Sequence, residues 1–150
     1  MDYRITKLRN YLFKVINTLI EDRNYQINAD FLGEIGDFSL DKIPTASIVQ
    51  KWVSGVEVKR DVYSFRSRKF YSKDTMNNLN NIGFFEDFEK AIKDNNKKGV
   101  LPDINGIETI ECLNCGTINN VDGTEATFDI QIQITYRDNN EREEISLWKN

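Results

Sequence analysis

The sequence predicts an α+β fold in two layers, a mainly antiparallel sheet packed against two principal helices. Three observations predict it. Thr124–Tyr136 alternates with a period of two: Ala126, Phe128, Ile130, Ile132, Ile134 and Tyr136 fall on one side, and Thr127, Asp129, Gln131, Gln133 and Thr135 on the other. Two further segments, 5–22 and 75–97, carry apolar residues at three- and four-residue spacings, each with a single apolar face. The order of elements is helix, strands, helix, strands. Two one-sided helices and a one-sided sheet bury their apolar surfaces most simply against each other.

In the first helix, Leu8, Leu12, Val15, Ile16 and Leu19 form the stripe, broadened by Tyr11, Phe13 and Ile20. Residues 23–45 are less regular. Phe31-Leu32, Ile35, Phe38–Leu40 and Ile43 suggest one or two short strands, punctuated by Gly33, Gly36 and Pro44. Residues 46–71 read as a hairpin: Ala46–Val53, a turn at Ser54-Gly55, and a return arm Val56–Tyr71 rich in β-branched and aromatic residues. The alternation slips between Val62 and Tyr63–Phe65, which implies either a bulge or a strand covered on both faces. The return arm is too long for a simple edge hairpin, so it either bends or reaches beyond the protomer.

In the second helix, Asp74 is the expected N-cap, with Asn77 where a capping box would need Glu or Gln. Met76, Leu79, Ile82, Phe85, Phe88 and Ile92 form its stripe, flanked by Phe84 and Ala91. Gly83 inside that stripe suggests close approach to a strand. Lys93, Lys97 and Lys98 suit a helix C-terminus, and Gly99 ends the helix. Val100-Leu101-Pro102 leads to Gly106, then to strands at Ile107–Leu113 and Thr117–Val121. Asp122-Gly123 turns the chain into the long strand. Arg142–Trp148 reads as a short edge strand or a peripheral tail.

With 150 residues, one domain spanning 1–150 is expected, with 139–150 as a peripheral extension. The hydrophobic fraction of 39% and charged fraction of 29% are ordinary for a globular chain. There are 24 acids and 20 bases, a net charge of −4. That balance gives no general support for nucleic-acid binding, although a local patch can still exist. No run of 18 apolar residues suggests a membrane span. The start, Met1-Asp2-Tyr3-Arg4, lacks the features of a secretory leader, so no signal peptide is expected and a cytosolic protein fits.

The chain has no histidine. This removes the usual general base near neutral pH, the Ser-His-Asp and Cys-His nucleophile systems, and most mixed zinc sites. Cys112-Leu113-Asn114-Cys115 is a C-x-x-C at a strand end rather than at a helix N-terminus. A zinc site would need two more ligands. Two small residues closing a strand is the reading that fits. Glu86, Asp87 and Glu89 alternate with core aromatics and mark a wet helix edge. Carboxylate chemistry stays open, but no residue pattern points to it, and neither an enzyme activity nor a cofactor or resident metal is expected.

The candidate surface is therefore an interface. Lys59, Arg60, Arg66, Arg68, Lys69 and Lys73 crowd one arm, interleaved with Tyr63, Phe65, Phe70 and Tyr71 and offset by Asp61 and Asp74. Such an arm can bind nucleic acid through phosphates and stacking. It can equally pair with Glu108, Glu111 or Asp129 on a neighbouring strand or subunit. Gln131, Gln133 and Thr135 form a neutral hydrogen-bonding face without the lysines that discourage edge pairing. Lys59, Arg60, Tyr63, Arg66, Arg68, Lys69, Phe70, Gln131 and Gln133 are the candidate interface residues.

Asn81-Ile82-Gly83-Phe84-Phe85-Glu86-Asp87-Phe88-Glu89 resembles the helix of the small tail-terminator (minor capsid) proteins of phages. The resemblance continues through Leu101-Pro102, Ile107–Cys112, Asp122-Gly123-Thr124 and the final strand ending Ile134-Thr135-Tyr136. Upstream it takes in Trp52–Tyr71, and it covers roughly residues 5–138. It rests on order and spacing rather than on a catalytic motif. It implies a sheet flanked by helices and a homo-oligomer, a six-fold ring on the last disc of the tail tube. Such a ring stops tube growth and presents a platform to the head-tail connector. In contractile tails and tail-like bacteriocins it also touches the top of the sheath. The implied partners are further copies of the chain, the tail tube protein, the sheath protein and the connector. The implied location is the tail-head junction of a virion or tail-like particle, assembled in the bacterial cytoplasm. A tail completion or connector protein of the same particle is the first alternative, and a nucleic-acid-binding module using the 59–73 arm is the second.

Overall fold

The structure is a computed structural model that describes residues 3–20, 25–29, 37–45, 48–70, 75–114, 117–122 and 125–138, without the side chains of 69–70, 75–81, 117–122 and 125–126. The expected N-cap at Asp74, Gly123 in the last turn, the 31–36 segment, Cys115 and the 142–148 tail lie outside the described residues. The described chain runs α1 (Arg4–Asn17), β1 (Ile27–Ala29), β2 (Phe38–Ile43), β3 (Ile48–Lys51), β4 (Glu57–Phe70), α2 (Thr75–Lys98), β5 (Ile107–Cys112), β6 (Thr117–Asp122) and β7 (Glu125–Asp138). This is the α+β architecture that the periodicity predicts. All the described strands join one mainly antiparallel sheet in the order β1-β2-β4-β7-β5, with β3 added on β4 and β6 on β7. Only β1 and β2 run parallel.

The sheet is organised around a ribbon. β4 and β7 are each 14 residues long and pair antiparallel from Glu57↔Asp138 to Phe70↔Glu125 without a slip. On the free side of β4, β2 takes Val62–Ser67 and β3 takes Glu57–Lys59. On the free side of β7, β5 takes Ile132–Tyr136 and β6 takes Glu125–Asp129. The long return arm thus finds its partners inside the protomer. It neither bends away nor needs a neighbour. The irregularity suspected at Val62–Phe65 is not a bulge, because the β4–β7 register is continuous there. Instead, Val62, Tyr63, Ser64 and Phe65 are all buried, so the strand is covered on both faces. The register shifts fall in the short strands, β3, β5 and β6.

Both helices lie on one face. From α1, Leu8, Tyr11, Leu12, Val15 and Ile16 enter the core, and from α2, Phe85, Phe88 and Ile92. They meet Phe38 and Leu40 of β2, Tyr63 and Phe65 of β4, Ile110 of β5, and Phe128, Ile130, Ile132, Ile134 and Tyr136 of β7. The period-two reading of β7 is therefore correct. Aromatic rings carry the contact between layers. Phe65 stacks on Phe38 (centroids 5.1 Å) and on Phe88 (5.3 Å), and Phe85 stacks on Phe128 (5.5 Å). Such offset pairs contribute about 0.5–1.5 kcal/mol each beyond their buried area. Ile82 departs from the expected stripe and is 42% exposed. At 100° per residue it sits about a third of a turn from the centre of the arc that Phe85, Phe88, Ala91 and Ile92 bury.

The C-terminus of α2 closes as its composition suggests. Gly99 takes φ 76°. The Val100 N–H donates to the Asn95 carbonyl (2.9 Å) and the Gly99 N–H to that of Asn96 (3.3 Å). This is the left-handed cap that satisfies the last carbonyls of a helix. The β3–β4 hairpin turns through Val53-Ser54-Gly55, one residue more than the sequence suggested. Gly55 has φ 91°, and Trp52 exchanges bonds with Gly55 and Val56, the three-residue loop that needs a glycine at its last position.

Two glycines give opposite expectations. A Cβ at Gly83 would meet nothing within 4 Å, so the close approach suggested by its position in the stripe does not occur. Gly83→Ala should raise stability by about 0.5–1 kcal/mol through helix propensity. Gly106 has φ 77°, and a Cβ there would lie 2.2 Å from the Arg137 carbonyl oxygen. The Arg137 N–H also donates to the Gly106 carbonyl (2.8 Å), fixing the two backbones together. Gly106→Ala should cost at least about 1–3 kcal/mol. Urea unfolding of the two variants checks both signs at once.

Candidate assembly surface

Alternation along the central ribbon divides its side chains between two faces. Asp61, Tyr63, Phe65 and Ser67 of β4 face the helices, opposite Ile134, Ile132, Ile130 and Phe128 of β7. Val58, Arg60, Val62, Ser64, Arg66 and Arg68 occupy the second face, opposite Arg137, Thr135, Gln133, Gln131, Asp129 and Thr127. Ser39 and Asp41 of β2 join that second face through their register with Arg66 and Ser64. Among the described residues, no helix covers it.

Several polar groups of the second face bond one another, although Arg66 Nε is buried without a hydrogen-bond partner. The Arg66 guanidinium pairs with Asp41. The Ser39 hydroxyl donates to Asp41 (2.7 Å), and the Ser64 hydroxyl donates to Asp129 (2.7 Å). At the far end, Arg137 pairs with Glu108 of β5 (3.1 Å) and lies 5.0 Å from the centre of the Trp52 ring. Trp52 is thereby held over β7, which fixes the β3–β4 hairpin against the sheet. Between these groups, short side chains are buried beside long ones: Val62 lies opposite Gln133, and Ser64 opposite Gln131. Gln131 and Gln133 are half-buried.

Most of the sequence-predicted interface residues lie on this face, but not all. Arg60, Arg66, Arg68, Gln131 and Gln133 do. Tyr63 does not: its ring is 1% exposed in the core and its hydroxyl donates to Asp61 (3.2 Å). The structure removes Tyr63 from the candidate surface, because its odd position places it with Phe65 rather than with Arg66. Lys59 is on the helix side too, at the rim, where it bonds Asp138 (2.7 Å) near Glu57. That bond to Asp138 raises the Lys59 pKa against a smaller opposing effect of burial. Lys69 and Phe70 pair through their backbones with Ala126 and Glu125, and their side chains lie outside the described set. Cys112 packs half-buried against the core, in register with Ile132. Among the described residues, no three acidic or cysteine side chains cluster to hold a metal, and no helix is long and apolar enough to cross a membrane.

One constellation escaped the sequence reading. Asp61, 2% exposed, accepts from Arg4 Nε (2.6 Å) and from the Tyr63 hydroxyl, with Lys42 Nζ at 3.6 Å. The Arg4 guanidinium also lies 4.6 Å from the centre of the Tyr136 ring. Arg4 is the first residue of α1, where a cation opposes the helix dipole and an anion favours it. The Asp61 carboxylate compensates the arginine placed there. Burial works against the charge on Arg4, but the bond and charge of Asp61 outweigh it and leave its pKa raised. The signal for this site was in the alternation, since Asp61 shares its parity with Tyr63 and Phe65. Its carboxylate is fully engaged, so it acts as a clamp between α1 and the sheet.

Asp61→Ala should cost about 1.5–3 kcal/mol, the usual range for losing bonds to a charged group, rather than more. Its cations, Arg4 and Lys42, are 42% and 54% exposed and can hydrate once released. Arg4→Ala should cost less than Asp61→Ala, since Lys42 and Tyr63 stay beside the carboxylate. Thermal unfolding of both variants checks the order.

The same cluster governs alkaline behaviour. Burial pushes the phenol pKa values of Tyr63 and Tyr136 above 10, and the Asp61 charge adds to it. Burial also raises that of Tyr11, whose hydroxyl donates to the Val100 carbonyl (2.8 Å). A folded pKa above the unfolded value of about 10 means that the stabilisation is complete below that pH. It is lost as pH rises through the folded values. Stability should therefore fall steeply above pH of about 10, and absorbance near 295 nm should show these three tyrosines ionising late or only with unfolding.

No protein-family model matches the chain, and no curated protein matches it.

Proposed function

We propose that the chain is a structural subunit of a ring that caps a tail tube, stops its polymerisation and presents a platform to the head-tail connector or sheath top. The observation that carries this reading is the division of labour between the two faces of the β4–β7 ribbon. One face is fully spent on the helices and the aromatic core. The other is long, polar and free of helices among the described residues, and two of its arginines are paired within the protomer, Arg66 with Asp41 and Arg137 with Glu108. A face of this kind suits contact with like-built neighbours, because docking it leaves few unpaired charges to desolvate. The resemblance of residues 5–138 to phage tail terminators gives that contact its identity. Ring closure then requires heterologous contacts, one patch meeting a different patch on the next copy.

The same ion pairs count against the basic arm as a nucleic-acid site. Lys59 is engaged by Asp138 and Arg66 by Asp41, which leaves less positive charge to displace phosphate counterions. Retention of DNA on filters should be weak and nearly flat between low and moderate salt.

The direct experiment mixes the chain with polymerising tube subunits and images the product by negative stain. Short tubes with evenly capped ends are expected, and tube growth unaffected by the chain rejects the reading. Replacing both Gln131 and Gln133 with Lys should weaken assembly by about tenfold or more, through like charge beside Arg60 and Arg66 in a desolvated contact. The variant monomer should unfold within a few degrees of the parent. Sedimentation and calorimetry check the two halves of that expectation.

A further inference from the structure

The loop that leads from α2 into β5 contains Asp103-Ile104-Asn105-Gly106. The Ile107 N–H donates to the Ile104 carbonyl (3.1 Å), which closes a turn with Asn105 and Gly106 at its centre. Gly106 takes φ 77°, the left-handed value that calls for glycine at the third position of such a turn. The sheet enforces the same choice. A Cβ at residue 106 would clash with the Arg137 carbonyl oxygen, and the Arg137 N–H donates to the Gly106 carbonyl (2.8 Å). No larger residue fits at 106 unless the end of β7 moves. Position 105 carries no such demand. Asn105 is exposed, and no hydrogen bond holds its side chain among the described residues.

This is the only Asn-Gly pair in the sequence, and the pair is chemically reactive. An asparagine carboxamide carbon lies within reach of the next backbone nitrogen, and a following glycine leaves that nitrogen unshielded by a side chain. The nitrogen loses its proton and bonds to the carboxamide carbon, and ammonia departs with the former side-chain nitrogen. Water then opens the cyclic imide at either of its two carbonyls. One opening leaves aspartate at 105 on a normal backbone. The other leaves isoaspartate, whose main chain runs through the former side chain and is longer by one methylene. Both products carry a new carboxylate, and water is the only co-reactant. Among the described residues the Gly106 N–H donates to no backbone carbonyl, so imide formation sacrifices no backbone bond from it.

We propose that Asn105 is a site of spontaneous deamidation, and that its isoaspartyl product unlocks the Glu57–Asp138 end of the sheet. The position of the turn gives the modification its reach. An extra methylene ahead of Gly106 shifts the Gly106 carbonyl away from the Arg137 N–H. The Arg137 side chain pairs with Glu108, two residues beyond Gly106 (3.1 Å), and lies 5.0 Å from the centre of the Trp52 ring. Displacing Gly106 therefore loosens the end of β7, the start of β5 and the seat of the β3–β4 hairpin together. Aspartate at 105 adds a charge near Asp103 but keeps the backbone length, so the two products act differently. The inference concerns the isolated chain and stands apart from the capping reading.

The test holds the full chain at mildly alkaline pH for several weeks and follows it by peptide mass mapping. The peptide containing Asn105 should gain one dalton before any other asparagine peptide does. It should split into two chromatographic forms, one of which accepts a methyl group from an isoaspartyl methyltransferase. Anion exchange separates the aged, more acidic molecules from the parent. In them the Arg137 amide should exchange with deuterium about tenfold faster or more, whereas Asn105→Asp, which adds the charge alone, should stay within about twofold of the parent. Asn105→Gln keeps a carboxamide but must close a larger ring, so it should fold as the parent does and lose the mass change. Asn105 staying intact while other asparagines convert overturns the proposal. So does an aged acidic form whose Arg137 amide exchanges no faster than that of Asn105→Asp.

Discussion

The unbroken antiparallel pairing of β4 with β7 is the constraint on which the rest of the molecule depends. Fourteen residues of each strand are held in one register, and side chains alternate with a period of two. A slip of one residue would send Phe65, Ile130 and Ile132 to the polar face and Arg66 and Gln131 into the core. Every other element is placed by this ribbon. β2 and β3 share one flank, β5 and β6 the other, and the helices lie on the side where the odd residues of β4 and the even residues of β7 point. The Asp61 clamp shows how strictly the register acts. A carboxylate on the apolar parity had to be matched by Arg4, Lys42 and Tyr63, and the arginine that matches it opens the first helix.

Much of this architecture was legible in the sequence because it is written in local periods. The β7 alternation, the α1 stripe, the Gly99 cap and the hairpin at Gly55 all follow from residue spacing and backbone preference. What stayed hidden is non-local. Parallel pairing of β1 with β2 is not a local property, and nothing in Ile27–Ala29 announces it. The return arm looked too long because the sequence does not reveal that two short strands divide one of its flanks. Tyr63 looked like an interface residue because its neighbours Arg60 and Arg66 are basic, yet parity separates it from them. Asp61 was read as a counterweight to nearby lysines and arginines, while its true partners come from α1 and β2. In each case the local composition suggested the wrong neighbour, and the register supplied the right one.

The capping function proposed for this chain sets a demand that an ordinary globular domain does not face. A tube subunit repeats without limit, and a terminator must join its own kind sideways yet refuse to stack. The physical solution is to spend protection unevenly. Arg9 and Asn96 are single side chains, but each bonds an outward backbone group at a strand edge, of the kind that can otherwise pair with another strand. The helices thus do more than cover the core, since they also supply side chains that bond two strand edges. On the second face the same economy applies to charge: Arg66 and Arg137 are answered by Asp41 and Glu108 within the protomer, so those two cations are already engaged before any neighbour arrives. In the proposed ring, association would rest more on shape than on long-range attraction. A subunit that must wait until a tube is complete before closing it is better served by such a surface than by one that attracts every passing partner.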